Sequence, residues 1–553
     1  MSTILWLTVN SSYSHSSLAL PIIHLACKNI TDWQWCRYDT LIEDDPAEAA
    51  LKILQKKPDV VAAPLYLFNR NATINILTRI HAIIPKCKLI VGGPECLGEG
   101  AKEVLENCPA IDITVSGEGE SVFPLLLQAL QEEKTLPQIP GLNIRNRKTG
   151  EIIDNAGQAQ LYADWATAPS PMQSPFFLTN KPFIQLETAR GCAQGCLYCT
   201  SGNSKVRCKS IKKVTAELAE AHQHGILEIR LLDRTFNLPP TRAAQLLHLF
   251  RTQFPDLKIH LEIHPQFLFS EIREELEKAL PGQLFIEAGL QSLSPEVQNA
   301  IGRKSIPEKD MDGLRFLCEC TAFETHVDLI SGLPKQTLES IFNDINELFK
   351  IAPGEIQTEI LKILPGTPMK HQAKDLGIIY CPIPPYDVIQ TASMSAQEII
   401  TTNAISRVLD QFYNQPALQQ CMLSACQEKK DTFKNLLHIC QERDITGKRP
   451  PSLKHRFLLL TEIWSPEQYP HTREKLAYAW MKAGFPAGET PAQDVTLCPK
   501  IPDNAPLIEG NTDVISQRTT KLYKLHCQKK NFFFAFNRAY IMNAPAAIFQ
   551  EDI

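Results

Sequence analysis

The sequence predicts an α/β protein. It reads as an N-terminal doubly wound, Rossmann-like domain over 1–135, a linker over 136–180, a partial (β/α)6 barrel over 181–375 and a mainly α-helical C-terminal domain over 376–553. Three observations predict this. Short β-rich apolar runs alternate with helical patterns before residue 135, six further such units follow residue 180, and from residue 376 the strand pattern gives way to helices. Alternation of this kind builds parallel sheets with crossover helices.

In the first region the expected strands are Ile4–Val9, Trp33–Tyr38, Val60–Ala63, Lys88–Val91 and Ile111–Val115. The helical patterns between and after them are Leu18–Lys28, Ala47–Lys56, Ala72–Ile84, Ala101–Glu106 and Ser121–Gln131. Pro137, Pro140, Pro169, Pro171 and Pro175 mark the linker, which has few periodic apolar positions. The barrel strands are Phe183–Thr188, Leu227–Leu232, Lys258–Ile263, Gln283–Ala288, Thr325–Ile330 and Ile356–Ile363. In such barrels the chemistry gathers at the C-terminal ends of the strands. Beyond them, Ala392–Leu409, Gln415–Leu437 and Arg456–Ile463 read as helices, and Phe532–Phe536 as a strand.

A chain of 553 residues exceeds what one hydrophobic core organises. With 44% hydrophobic and 21% charged residues it has ordinary globular composition, which argues against disorder. A net charge of −5 carries no bulk signal for nucleic acid. No run approaches the roughly 18 apolar residues of a membrane span. Ile4–Val9 is apolar, but no Lys or Arg precedes it and the polar stretch Asn10–Ser17 interrupts it, so it reads as a buried strand of a cytoplasmic protein. Seventeen cysteines without a secretion signal point to metal or redox use rather than disulfides, although most are expected to be core residues.

The most informative segment runs from Glu187 to Cys199 and holds Cys192, Cys196 and Cys199 in C-x3-C-x2-C spacing, just after the first barrel strand. Three thiolates on one tight loop can cap three irons of a 4Fe–4S cluster and leave the fourth open. A structural zinc site would want four ligands in paired spacing. With Tyr198 before the third cysteine, the loop resembles the C-x3-C-x-aromatic-C signature of the radical S-adenosylmethionine (SAM) superfamily. The resemblance covers about 180–375. It implies that SAM chelates the open iron and that an electron from the cluster releases a 5′-deoxyadenosyl radical. It also implies an external electron donor such as flavodoxin or ferredoxin.

The SAM contacts implied by that resemblance are Tyr198, Asp233, Glu262, Glu287, Gln291, Ser331, Gly332 and Pro365. Asp233 stands where the family often has Gly-Gly-Glu, and the glycines are missing here. By strand alternation Glu262, Glu287 and Gln291 point to one barrel mouth. A salt bridge with Arg190, Arg230 or Arg234 is the alternative use of each carboxylate.

Three loops of the first domain follow strands and so gather on one sheet edge. They are Ser11–Ser16, Gly92–Glu95 and Ser116–Glu120. The phosphate fingerprints G-x-G-x-x-G and the P-loop are both missing. Ahead of such a barrel, these loops resemble the cobalamin-binding radical SAM subclass, and an uncharacterised branch of it. The cobalamin contacts this implies are Ser12, Tyr13, Ser14, His15, Tyr66, Leu67, Phe68, Asn69, Gly92, Gly93, Pro94, Glu95, Gly117, Glu118 and Gly119. The D-x-H-x-x-G motif that supplies a cobalt ligand in other cobalamin proteins does not occur. His15 is then the candidate ligand on a strand-end loop, and Tyr66–Asn69 the candidate apolar cover for the corrin's lower face.

The resemblance implies methylation of an unactivated carbon or phosphorus centre of an unknown substrate. A cobalamin-dependent rearrangement, oxidation or cyclisation is the alternative. An RNA-modifying, sulfur-inserting enzyme would need a front-domain cysteine set that Cys27, Cys36, Cys87, Cys96 and Cys108 do not form. A cobalamin or redox sensor would not need the open iron. A second cluster on Cys421, Cys426 and Cys440 conflicts with their helical surroundings.

Overall fold

The computed structural model describes residues 2–132, 136, 139–155, 157, 159–447, 449–491, 495–502, 504–511, 520–537 and 544–552. It divides into two compact bodies, residues 1–337 with 360–399, and residues 338–359 with 400–553.

The first body opens with β1 (Ser2–Asn10), α1 (Ala19–Ala26), β2 (Trp33–Leu41), α2 (Pro46–Leu54), β3 (Val60–Pro64), α3 (Arg70–Ile83), β4 (Lys88–Gly92), α4 (Gly100–Asn107), β5 (Ile113–Val115) and α5 (Gly119–Gln131). The central strand β1 is buried on both faces from Ile4 onward, as a parallel strand under two helical layers must be. Leu5, Leu7 and Val9 pack with residues of α2, α3 and α4, while Ile4 and Trp6 pack with residues of α1 and α5. The strand order is β2-β1-β3-β4-β5-β6-β7. The order reverses beside β1, where open α/β sheets form their ligand crevice.

The last two strands of that sheet correct the expected linker. β6 (Leu142–Arg145) and β7 (Ile152–Asp154) add antiparallel beyond β5. Four and three residues long, with a turn between them, they are too short to show a period. Pro137, one of the linker prolines, lies outside the described residues.

The barrel follows. β8 (Ile184–Leu186) leads into a small antiparallel ribbon, β9 (Ala189–Arg190) with β10 (Arg207–Cys208). Then come β11 (Glu228–Leu231), β12 (Lys258–Ile263), β13 (Leu284–Gln291) and β14 (Glu324–Ser331), which lie parallel in the order β14-β13-β12-β11-β8. Helices Ile211–Gln223, Pro240–Gln253, Ser270–Leu276 and Pro307–Glu319 connect them. β15 (Glu355–Ile360) forms where the sixth strand was expected. A short hairpin, β16 (Ile379–Tyr380) with β17 (Val388–Gln390), completes the first body.

The second body is helical as far as Lys482, with Pro416–Glu428, Thr432–Glu442, Leu453–Ile463 and Pro470–Lys482. The expected helix Gln415–Leu437 is two helices, broken near Lys429. The region is mainly helical, as expected, and the strand expected at Phe532–Phe536 belongs to a sheet that follows the helices. An antiparallel sheet forms from β18 (Val495–Cys498), β19 (Leu507–Gly510), β20 (Thr520–His526), β21 (Lys530–Asn537) and β22 (Ala547–Asp552), in the order β18-β20-β21-β22-β19. Of these only the aromatic run in β21 showed in the sequence. Cys421, Cys426 and Cys440 sit within helices, where burial pushes each thiol up to about 12. They behave as small apolar residues. Among the described residues no helix is long and apolar enough to cross a membrane.

Candidate functional site

The cysteine loop hangs between β9 and β10 and is held by its own backbone. Ser204 N donates to Cys192 O (2.9 Å), Asn203 N to Gln194 O (2.6 Å) and Leu197 N to Ile301 O (2.9 Å). Gly191 has φ +89°, and a Cβ there would come within 2.3 Å of Lys205 O, so only glycine turns this corner. Cys192 and Cys196 are buried and Cys199 is half-buried.

Around the sulfurs, Thr235 Oγ1 lies 3.4 Å from Cys192 Sγ, and Ser201 N donates to Cys199 Sγ at 3.4 Å. The Arg303 guanidinium stands 4.0 Å from Cys196 Sγ. Burial raises the Cys199 thiol, the Ser201 amide and Arg234 oppose this, and the two neighbouring cysteines add to it. Cys199 thus lies within electrostatic reach of both other loop cysteines, an arrangement that suits a polynuclear cation. Among the described residues no group of three or more His, Cys, Asp or Glu closes around a single ion. A cubane does not ask for that, because each thiolate binds a different iron. The donor set therefore fits an iron–sulfur cluster.

Asp233 behaves differently from the expected SAM contact. It is 1% exposed, and its carboxylate accepts from Thr188 N (2.7 Å), Ala189 N (2.9 Å) and the Thr188 hydroxyl. It is a strut beneath the cysteine loop. Burial raises its carboxyl despite those bonds.

Glu262 and Glu287 stand in register on adjacent strands. Burial raises the Glu262 carboxyl, Glu287 and Asp233 reinforce this, and Arg234 at 3.8 Å opposes it. Gln291 sits at a bulge with φ +72°. Burial and the Cys196 charge keep the Tyr198 phenol protonated. Ser331 is buried at the end of β14, and Gly332 follows with φ +81°. Pro365 instead packs on the first domain, where a Cβ on Gly100 would meet its ring at 2.6 Å.

Below the two glutamates lies a cavity of about 220 Å³, lined also by Gln185, Arg230, His260, Phe285 and His326. His260 stacks on Phe285 with ring centroids 4.5 Å apart. Apart from Arg230, these lumen residues escaped the sequence reading. The signal was available, since His260 and Phe285 each lie two residues before a nominated glutamate.

The second cavity, about 240 Å³, opens at the strand ends of the first domain. Of the nominated residues, Tyr66, Gly92, Gly93, Gly117 and Gly119 line it, together with Trp6, Ala62 and Ala63. Glu187 and Arg190 of the barrel form part of the same wall. Its small, apolar lining fits a planar base such as the one on a cobalamin tail, while the macrocycle itself is too large for it. Gly93 has φ +94°, and a Cβ there would lie 2.9 Å from Leu65 O.

Other nominated residues serve the fold. Asn69 donates to Val9 O (3.1 Å) and Pro64 O (3.2 Å) and accepts from Tyr66 N (2.8 Å), stapling its loop. Glu95, 2% exposed, pairs with Arg70 at 2.9 Å and accepts from the Tyr386 hydroxyl at 2.7 Å. Glu118 pairs with Arg207 and accepts from Tyr162 N at 2.6 Å. Pro94 is exposed at the head of a short turn.

Tyr66 and Phe68 stack with centroids 5.5 Å apart, Phe68 half exposed and Leu67 half-buried beside it. Ser12 Oγ bonds Ser14 Oγ (2.9 Å) and His15 Nδ1 (2.7 Å). Burial, helped by Arg230, lowers the His15 pKa and keeps the imidazole neutral. Tyr13 is exposed beneath Lys181 Nζ, 3.8 Å from its ring.

Leu232 lines both cavities, whereas Arg190 lines the first-domain one. Its guanidinium pairs with Glu120 and Glu187, each at 2.7 Å, and with Glu118 at 3.6 Å. Arg190→Leu would strand Glu120 and Glu187 together in a largely buried place, while Glu118 keeps Arg207. The expected loss is about 3 kcal/mol of stability in denaturant unfolding of the metal-free chain. An unchanged midpoint would contradict this.

The model of the Radical SAM superfamily matches residues 186–348, and a family described as protein of unknown function (DUF4080) matches residues 374–484. An uncharacterized methyltransferase of Pyrococcus horikoshii is 26% identical over 349 residues, which is 60% of this chain and 72% of that one. The cobalamin-dependent radical SAM methyltransferase TokK of Streptomyces tokunonensis is 24% identical over 344 residues, 58% of this chain but only 49% of TokK. Among solved structures, the cobalamin-dependent SAM radical enzyme OxsB aligns with TM-score 0.61 at 13% identity, over 87% of this chain and 79% of that one. The radical SAM methyltransferase TsrM of Kitasatospora setae aligns with TM-score 0.57 at 17% identity, over 70% of this chain and 80% of that one. Residues 186–348 thus form a radical SAM domain, and the chain's relatives and fold neighbours include cobalamin-dependent members of that superfamily.

Proposed function

We propose that this chain is a cobalamin-dependent radical SAM enzyme that methylates an unactivated carbon or phosphorus centre. The supporting observation is adjacency: Arg190, two residues before Cys192, walls the small-residue cavity of the first domain. Leu232 lines both this cavity and the one below Glu262 and Glu287, which supports a shared space for the two cofactors, as chemistry that joins them demands. When bound, the cluster supplies the electron that splits SAM, and cobalamin supplies the methyl group that is transferred.

The chain's own residues hold these groups. Cys192, Cys196 and Cys199 hold the cluster. Glu262 and Glu287, with Gln291, Tyr198 and Ser331, would receive SAM at the barrel mouth. Gly92, Gly93, Gly117 and Gly119 would admit the cobalamin tail, and the stacked Tyr66–Phe68 pair would offer the corrin an apolar surface. His15, tied to Ser12 and turned edge-on to Phe183 at 5.2 Å, would not serve as a metal ligand. Paramagnetic resonance of the cobalt(II) protein is then expected to lack nitrogen splitting. A single-nitrogen splitting abolished in His15→Ala would make His15 the ligand. The protein works in the cytoplasm with a flavodoxin or ferredoxin as donor.

The test is a product balance on the reconstituted, reduced protein with candidate substrates. Methylation yields S-adenosylhomocysteine alongside 5′-deoxyadenosine. Turnover that gives 5′-deoxyadenosine without S-adenosylhomocysteine would replace methylation by rearrangement, oxidation or cyclisation.

A further inference from the structure

The second body holds a cavity of about 790 Å³ that neither cofactor requires. Its walls are one face of helix Pro470–Lys482, one face of helix Pro416–Glu428 and the tip of the β20–β21 hairpin. On the first helix Lys475, Tyr478, Ala479 and Lys482 recur at three- and four-residue spacing, so one helical face looks into it. Gln528 N donates to Glu474 at 2.7 Å and ties the hairpin tip to that helix.

Walls and rim differ in chemistry. Inside, Tyr478 meets Phe532 edge-on with centroids 4.7 Å apart, and Ala417, Cys421 and Ala479 add small apolar surface. At the rim stand Lys475, Lys482, Lys529 and Lys530. Glu509 answers Lys482 at 2.7 Å, but among the described residues Lys475, Lys529 and Lys530 form no ion pair. Glu474 also lines the cavity, bonded to Gln528 N, but the lysines outnumber it, and such an excess of positive charge raises the local potential and attracts an anion. The volume lies within the range of small-molecule sites. An apolar chamber under an unanswered cationic rim is complementary to a molecule with an apolar body and one anionic end.

We propose that this cavity binds a single-chain anionic amphiphile, an alkyl or acyl chain ending in a carboxylate or a phosphate. The apolar chain lies against Tyr478, Ala479 and Phe532, and the anionic end meets Lys475, Lys529 and Lys530. This site depends on neither cofactor nor on methyl transfer, so it stands or falls separately from the function proposed above.

The test is calorimetric titration of the full chain with laurate, dodecyl phosphate, dodecan-1-ol and inorganic phosphate. Laurate or dodecyl phosphate is expected to bind saturably, one molecule per chain, and the tighter of the two identifies the head group. The alcohol is expected to bind at least about tenfold more weakly, and phosphate alone not at all. Ala479→Trp fills the chamber and is expected to abolish binding. Lys475→Glu with Lys530→Glu is expected to weaken it by at least about tenfold. Circular dichroism and thermal unfolding check that both variants stay folded, and if Ala479→Trp does not, the surface-charge variant carries the test. Failure of both anionic amphiphiles to bind, equal binding of the alcohol, or affinity unchanged in the folded variants would overturn the proposal.

Discussion

Replacing Cys192, Cys196 and Cys199 together by alanine is expected to remove the iron from the protein altogether. Anaerobically reconstituted wild-type chain should hold about four irons and four sulfides, with the broad visible absorption of a cluster. The triple variant should lose that absorption and the paramagnetic signal of the reduced protein. Cys208→Ala and Cys421→Ala should keep both. Cys208 lies in β10 and is not among the loop cysteines, while Cys421 is a buried helical thiol. The loop's backbone-to-backbone bonds and its strut Asp233 do not involve the sulfurs, and the triple variant forfeits the weak bond from Ser201 N to Cys199 Sγ but should remain folded. Iron retained by the folded triple variant would remove the basis of the account.

The second large effect is expected at Ala62. This residue is buried on β3 and lines the first-domain cavity. Ala62→Phe should fill that cavity and abolish cobalamin binding, measured as cobalt per chain after reconstitution. Iron content should be unchanged, because the cysteine loop belongs to the barrel. Gly93 is a poorer place for the same experiment, since its positive φ and the nearness of Leu65 O would strain the backbone whatever the ligand did. Methyl transfer should vanish in Ala62→Phe while slow cleavage of SAM continues. Full cobalamin loading would show that the cofactor lies elsewhere.

Periodicity explains how much of this was legible. β1, β3 and β4 declare themselves as apolar runs because both faces are largely buried, β12 does so by alternation, and all four form within a residue or two of their expected bounds. Alternation also put Glu262 and Glu287 on one face, and their register confirms it. Strands without that signature were missed. β6 and β7 are too short, and β20 alternates lysine with leucine and tyrosine in a way that resembles a polar helix or loop.

Within the site, motifs located loops better than they assigned individual side chains. Gly92, Gly93, Gly117 and Gly119 do line one cavity, but Asn69, Glu95 and Glu118 sit in the same loops and bond to the protein itself. A polar residue near a ligand loop reads the same in sequence whether it faces the ligand or staples the turn. Asp233 shows this most plainly, since only its bonds to Thr188 and Ala189 reveal that it supports the cysteine loop from below.

The central claim is that three cysteines hold a cluster whose fourth iron is free to take SAM. It is tested most directly by paramagnetic resonance of the reduced, reconstituted protein before and after SAM is added. The account predicts a 4Fe–4S signal whose g values and line shape change on addition of SAM, and a smaller change when Glu262 is replaced by Gln. A spectrum that SAM leaves unaltered, in protein with a full complement of iron, would contradict it.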